Sequence, residues 1–252
     1  MLIRRAAALS ADEIKSAITR LDTPLLIQNN PEFASFCEVW NLESMPSATE
    51  DQLVHIVTAN REREATRFRE VSLHHFLNSL HLRQEQDFRY LKEFPLAALH
   101  QRLPEDLAQH RFIPKSGIAG SAWIGSGQTT TGTHFDLFDN LLFQADGKKA
   151  VWLAPPYAIS RRQYARKYDR FARLATPELA GLSDAVRIEV QRGDLLFIPR
   201  RWWHQVQNLT PSFTISGFHY SHTEVLTRAI PEYLRHGAHC INPFRRECTC
   251  HV

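Results

Sequence analysis

Cysteine is scarce in this chain. Four occur among 252 residues, at positions 37, 240, 248 and 250, too few and too unevenly placed for a disulfide framework. A reducing, cytoplasmic compartment is therefore expected. Long apolar runs are also missing: none approaches the ~18 residues that a membrane span needs, so no membrane partner is expected. Neither sign of charge dominates, with 30 Lys and Arg against 27 Asp and Glu. A net charge of +3 is too weak by itself to imply nucleic acid. Internal repeats and low-complexity tracts are absent as well. What remains is ordinary globular material, 43% hydrophobic and 23% charged, enough for a sizeable core in a single domain over residues 1–252.

The two ends need separate readings. "MLIRRAAALSADEIKSAITR" carries two arginines and a short apolar stretch, but its length and the acidic "ADEI" argue against a secretory signal. A helix capped by Ser10, with Glu13 as the reciprocal partner, explains it better; a mitochondrial presequence is the less favoured alternative. At the other end "AHCINPFRRECTCHV" gathers Cys240, Cys248 and Cys250 with His239 and His251. The Cys-x-Cys-His spacing is irregular for zinc, and a mobile tail with free thiols is the favoured expectation.

Residues 1–119 read as mostly helical and loop, with an early strand at "PLLIQ". "SLHHFLNSL" puts Leu73, Phe76, Leu77 and Leu80 on one helical stripe opened by Ser72, with His74, His75 and His81 as solvated neighbours. "FPLAALHQRLPEDLAQH" predicts one or two short helices interrupted at Pro104. From about Ala122 the texture changes to short β-branched and aromatic runs between Gly, Pro and Asp turns: "SAWIGS", "GTHFD", "NLLFQA", "KAVWLAPP", "VRIEVQ", "DLLFIP", "HQVQNL" and "FTISGFHY". Such spacing predicts a sandwich or barrel over residues 120–220. Residues 221–252 supply a terminal helix, bent or restarted at Pro231, and the tail.

One strand poses a chemical question. In "THFDLFDN" the alternation of an extended chain puts His134 and Asp136 on one face and Phe135 on the other. Two ligand-capable groups on one face of an apolar strand call for a shared partner, and a metal ion needs a third ligand. His204, in "GDLLFIPRRWWHQVQNL", offers it from another strand. Two imidazoles and a carboxylate that leave positions open suit non-haem Fe(II); separate core histidines are the alternative. Asp146-Gly147 then gives a hairpin signal. A two-residue loop there would pair Gln144 with Lys149 and Asn140 with Leu153, turning Lys149 to the face of Asn140, Leu142 and Gln144. By strand parity that is also the face of His134 and Asp136, provided "DLFDN" does not break the strand. A lysine aimed into a barrel needs an anion, such as a dicarboxylate chelating the metal at its other end. The competing expectation is a bulged hairpin with Lys149 in solvent and Lys148 inward.

The run "AWIGSGQTTTGTHFDLFDNLLFQADGKKAVWLAPP", followed by "GDLLFIPRRWWHQVQN", closely resembles the JmjC or cupin-like Fe(II)/2-oxoglutarate oxygenases, with the texture of their small asparaginyl-hydroxylase-like branch. The motif match spans roughly residues 120–220, and looser similarity extends upstream. The resemblance implies a mainly β, double-stranded β-helix (jelly-roll or cupin) core with N-terminal helices and a C-terminal helix. It implies Fe(II) held by His134, Asp136 and His204, with 2-oxoglutarate as co-substrate and O2 as oxidant. Lys149 would take the far carboxylate, helped by Thr131 and Tyr90, and Asn140 would lie near the metal-chelating end. The chain departs from that branch at Gly217, where a second asparagine is expected; water or His219 would replace that contact. Trp202 and Trp203 are expected to pack rather than react.

The implied products are succinate, carbon dioxide and a hydroxylated side chain, or a demethylated amine. A peptide or protein is the leading substrate class, ahead of an RNA base or a small molecule. Arg161 and Arg162 open a basic, aromatic-interleaved segment reaching Arg173 that suits RNA or an acidic peptide, although near-helical spacing favours a solvated amphipathic helix. Two other classes remain open: a non-catalytic jelly-roll binding module, and a zinc or manganese hydrolase or isomerase on the same barrel. The terminal helix suits a homodimer.

Overall fold

A computed structural model describes residues 3–7, 9–28, 30–60, 62–80, 88–109, 120–242 and 247–249. His81, Cys250 and His251 lie outside them. The strands are β1 (Arg4–Ala7), β2 (Leu25–Gln28), β3 (Leu53–Val57), β4 (Phe68–Ser72), β5 (Tyr90–Pro95), β6 (Ser121–Gly125) and β7 (Thr130–Asp136). They continue as β8 (Asp139–Asp146), β9 (Lys148–Ala154), β10 (Ala172–Leu174), β11 (Val186–Gln191), β12 (Leu195–Ile198), β13 (Trp203–Asn208) and β14 (Ser212–His219). A nine-stranded sheet runs β1-β2-β12-β8-β14-β6-β5-β3-β4, and a five-stranded sheet runs β10-β7-β13-β9-β11.

From β6 onward, strands change sheet from one to the next, except that β9, the short β10 and β11 all lie in the smaller sheet. β6, β8, β12 and β14 lie in the larger sheet; β7, β9, β11 and β13 lie in the smaller one. This alternation is the double-stranded β-helix that the sequence leads one to expect. It also overturns the hairpin at Asp146-Gly147. β8 pairs with β12 and β14, and β9 with β11 and β13, so the turn crosses between sheets instead of joining neighbours. Gly147 supplies a backbone φ of 76° there, and a Cβ would stand 2.1 Å from the Pro211 carbonyl oxygen, so only glycine fits. "DLFDN" breaks the strand for the same reason, at Leu137 and Phe138 between β7 and β8. Turn chemistry shows that a chain reverses; which sheet receives it depends on burying both faces of β8. Leu141 and Phe143 face the helical layer, where Phe143 meets Phe33 edge-on at 5.2 Å. Leu142 faces inward with Val151, Leu153, Leu196 and Val206.

The N-terminal part departs from its helical reading. Its described residues hold five strands, of which β2 is the expected early one, with β1 and β2 extending one end of the larger sheet and β5, β3 and β4 the other. The expected helices do form. Ala11–Arg20 starts at Ser10 with the Glu13 capping box, and Leu73–Ser79 starts at Ser72 with Leu73, Phe76 and Leu77 buried. His74 is more than a solvated neighbour, since its Nε2 lies 2.8 Å from the Thr49 carbonyl. The break in the next pair falls at residues 100–102, between Leu96–Leu99 and Leu103–Gln109. Pro104 sits in the second helix's first turn, where its missing N–H has no helical partner to lose.

The arginine-rich segment forms no long helix. It has a 3-10 turn at Arg161–Gln163, then β10 along β7. Its periodic aromatics face different neighbours: Tyr164 packs on Trp203 at 5.2 Å and Phe171 on Phe138 at 6.0 Å. At the C-terminus, a π turn over Val225–Ala229 leads into a helix over Ile230–Ile241. The change comes where Pro231 removes a backbone donor. Among the described residues no helix is long and apolar enough to cross a membrane.

Candidate metal centre

His134 and Asp136 end β7, and His204 lies near the start of neighbouring β13, directly opposite His134 in register. Their ligand atoms all fall within 4.8 Å of one another. His204 Nε2 is 3.5 Å and His134 Nε2 3.9 Å from the Asp136 carboxylate. Both rings are held from behind. His134 Nδ1 lies 2.7 Å from the Gly132 carbonyl, and His204 Nδ1 3.0 Å from the Trp202 carbonyl. A carbonyl only accepts, so each neutral ring carries its proton on Nδ1 and turns the Nε2 lone pair inward.

A bulge makes the first of these contacts. Between the His204–His134 and Val206–Thr131 pairs the register shifts, so Gly132 and Thr133 oppose Gln205 alone. The Gly132 N–H instead donates to Glu62 Oε2 at 3.2 Å. A Cβ at 132 would meet Glu62 Cβ at 2.8 Å, which is why glycine stands there. Glu62 in turn pairs with Lys92 Nζ at 3.0 and 3.1 Å, both residues being buried. Glu62→Gln should therefore take a counter-charge from the buried Lys92 ammonium, lowering stability by ~3 kcal/mol. A denaturant midpoint that does not move would contradict this.

Burial pushes the Asp136 carboxyl up to about 6, against the lowering pull of His134 and of the Asn140 amide. Burial, helped by the neighbouring His134, holds His204 well below its ordinary value, which favours the neutral ligand form. Two imidazoles and one carboxylate, with the remaining directions open to a cavity, fit Fe(II).

The same cavity, about 680 Å³, is walled by Tyr90, Trp123, Thr131, Asn140, Lys149 and Ser216, among others. Lys149 is 1% exposed, and its Nζ lies 3.1 Å from the Tyr90 hydroxyl. Burial, with a smaller push from Lys92, lowers its amine to about 7. Lys149 thus points inward as expected, though through pairing with Asn208 on β13 rather than with Gln144. Asn140 donates to Asp136 Oδ2 at 3.0 Å and accepts from Ser216 at 2.8 Å. Trp203 packs fully buried on Phe135, and Trp202 donates to the Asp22 carbonyl, so both act in packing.

Three substrate expectations do not reach this wall. Arg161 and Arg162 sit on an exposed turn, and neither lines the cavity. Alternation along β14 gives Thr214, Ser216 and Phe218 to the cavity, while Gly217 and His219 take the opposite face. Gly217 therefore leaves no gap at the metal side, and Ser216, rather than His219, meets Asn140. Ser216, Thr214 and Glu62 were missed. The period of two in "SFTISGFH" marks the first two, whereas nothing local marks Glu62.

These features coincide with a family pattern: the model of the cupin-like domain matches residues 11–224. The chain belongs to that family. Jumonji C domain-containing protein 5 of Drosophila melanogaster is 30% identical over 147 residues, 52% of this chain and 36% of that protein. Lysine-specific demethylase JMJ30 of Arabidopsis thaliana is 27% identical over 140 residues, 50% of this chain and 32% of its own. tRNA wybutosine-synthesizing protein 5 of Homo sapiens is 32% identical over 120 residues, 46% and 36% respectively. The matches thus span about a third of these relatives. They liken about half of this cupin-like chain to a Jumonji C domain-containing protein, a demethylase and a tRNA wybutosine-synthesizing protein, and the His134, Asp136 and His204 group is its metal-binding candidate.

Proposed function

We propose that this chain is an Fe(II)- and 2-oxoglutarate-dependent dioxygenase that hydroxylates a peptide or protein side chain. The observation that carries the reading is the buried Lys149 amine on the wall of the cavity that holds the metal trio. A hydrolase or isomerase using the same three ligands has no need of it, and a binding module needs neither.

His134, Asp136 and His204 would hold the metal by three positions. Lys149, with the Tyr90 hydroxyl and Thr131, would bind the far carboxylate of 2-oxoglutarate and so orient its oxoacid end toward the trio. Asn140 keeps the Asp136 carboxylate turned to the metal while Ser216 keeps Asn140 in place. Iron held there would supply the activation of O2, by which one oxygen atom would enter succinate as 2-oxoglutarate loses CO2 and the other would enter a substrate C–H bond as hydroxyl. Hydroxylation of an N-methyl carbon would give a hemiaminal, whose C–N bond would break to release formaldehyde and the demethylated amine. Protein substrates are supported by the demethylase relative, and an RNA base is the second reading on account of the tRNA-modifying relative.

The test is an anaerobic titration of Fe(II)-loaded protein with 2-oxoglutarate, following visible charge-transfer absorption. A band is expected; bound iron without a band would sink the reading.

Homodimerisation through the C-terminal helix belongs with this proposal. Leu226, Ile230, Leu234 and Ile241 are 65%, 44%, 71% and 84% exposed and recur at helical spacing along one stripe. Leu234→Asp should shift the sedimenting species from dimer to monomer. A wild type that sediments as a monomer at micromolar concentration would refute it.

A further inference from the structure

The C-terminal cluster of histidine and cysteine takes no part in the chemistry above. On the helix Ile230–Ile241, His236 and Cys240 stand one turn apart, and the Cys240 sulfur lies 3.6 Å from His236 Nε2. That separation is the edge a tetrahedral metal imposes: with Zn–N near 2.05 Å and Zn–S near 2.3 Å, an N···S edge comes to about 3.6 Å.

A second element arrives beside this edge. The Tyr168 N–H donates to the Glu247 carbonyl at 2.8 Å, and the Thr249 N–H to the Tyr168 carbonyl at 3.1 Å, which sets Cys248 against Tyr168 as a parallel bridge. His239 stacks on the same tyrosine ring at 4.0 Å, and His236 lies parallel to it at 6.2 Å. One tyrosine is thus the meeting point of two helix histidines and the cysteine-bearing segment. Neither Cys240 nor Cys248 is held in a disulfide.

From this convergence we propose that His236, Cys240 and Cys248 ligate a soft divalent cation, zinc by its thiolate and imidazole preference, which clasps the C-terminal segment to the terminal helix. Among the described residues only the His134 group brings three ligand atoms within 4.8 Å. At the tail, then, the His236–Cys240 edge is the preformed part, and the metal draws the remaining ligand in. The clasp borders the cavity: His236 and Thr249 line its wall, and Thr249 donates to Asp169 at 2.6 Å. The expected role is structural, holding one side of the substrate entrance. This inference does not depend on the oxygenase reading.

Cobalt(II) distinguishes the two sites, because the tail offers thiolate-to-cobalt charge transfer and the His134 group has no sulfur. Reduced, metal-free wild type titrated with cobalt(II) should develop this near-ultraviolet absorption with one equivalent per chain. Cys240→Ser and Cys248→Ser should each abolish it, while His134→Ala should retain it. Zinc should displace it, and circular dichroism separates a lost site from a lost fold. Absence of thiolate absorption in the wild type would overturn the site. A band that survives Cys240→Ser would do the same, and one surviving Cys248→Ser would overturn the clasp.

Discussion

Lys149→Ala is expected to weaken 2-oxoglutarate binding roughly 100-fold, since losing one partner of a buried charge pair costs about 3 kcal/mol and each ~1.4 kcal/mol is tenfold. Iron affinity should change little, because Lys149 is not among the ligand group. The effect carries a pH signature. With its amine lowered to about 7 by burial, Lys149 is half neutral near pH 7 before the co-substrate arrives, and the dicarboxylate selects the charged form. Apparent affinity should therefore fall as pH rises above about 7 in the wild type, and flatten in the variant. Stability without ligand runs the other way. A lysine whose folded value lies below its unfolded 10.5 penalises the fold fully below about pH 7. As pH rises from there toward 10.5 the unfolded chain binds more protons, and stability increases. A 2-oxoglutarate titration repeated across pH 6.5 to 8.5, as the range about that value, tests the first claim; equal pH profiles for wild type and variant would remove Lys149 from the site.

The other large effect belongs to His204→Ala. Supporting groups around a bound metal are worth roughly 10–100-fold in affinity, and deletion of a ligand should exceed that, abolishing turnover. Binding to the folded form alone stabilises it by ~2.7 kcal/mol at 100 times the dissociation constant. Added metal should raise the unfolding temperature of the wild type and leave that of the variant unmoved. Measured on zinc-free protein carrying Cys240→Ser, the shift reports on this site alone. An undiminished shift in the His204 variant would mean that the ion binds elsewhere.

Much of this site could be read from the chain. Period-two alternation placed His134 with Asp136, whereas Lys149 was turned inward by a hairpin pairing with Gln144 that the sheet replaces with Asn208. The register that joins His134 to His204 depends on sheet assembly, which no local pattern encodes. Asp146-Gly147 shows the limit well, because its turn chemistry is right and its destination wrong. The early strand at "PLLIQ" was legible as β2, whereas β1 and β3 to β5 were hidden because each is only four to six residues long and draws its order from the sheet it joins. Glu62 was illegible for a different reason: its partners Lys92 and Gly132 lie 30 and 70 residues away.

The two histidines of the centre belong to neighbouring strands but are separated by about seventy positions of chain. Pairings that distant are late and slow to form. A chain stalled before β13 docks onto β7 holds only two of the three donors and binds metal poorly. Metal uptake then marks completed molecules, drawing them by mass action out of the open population on which proteases feed. Resistance to proteolysis should accordingly depend on metal supply during synthesis as much as on the finished fold.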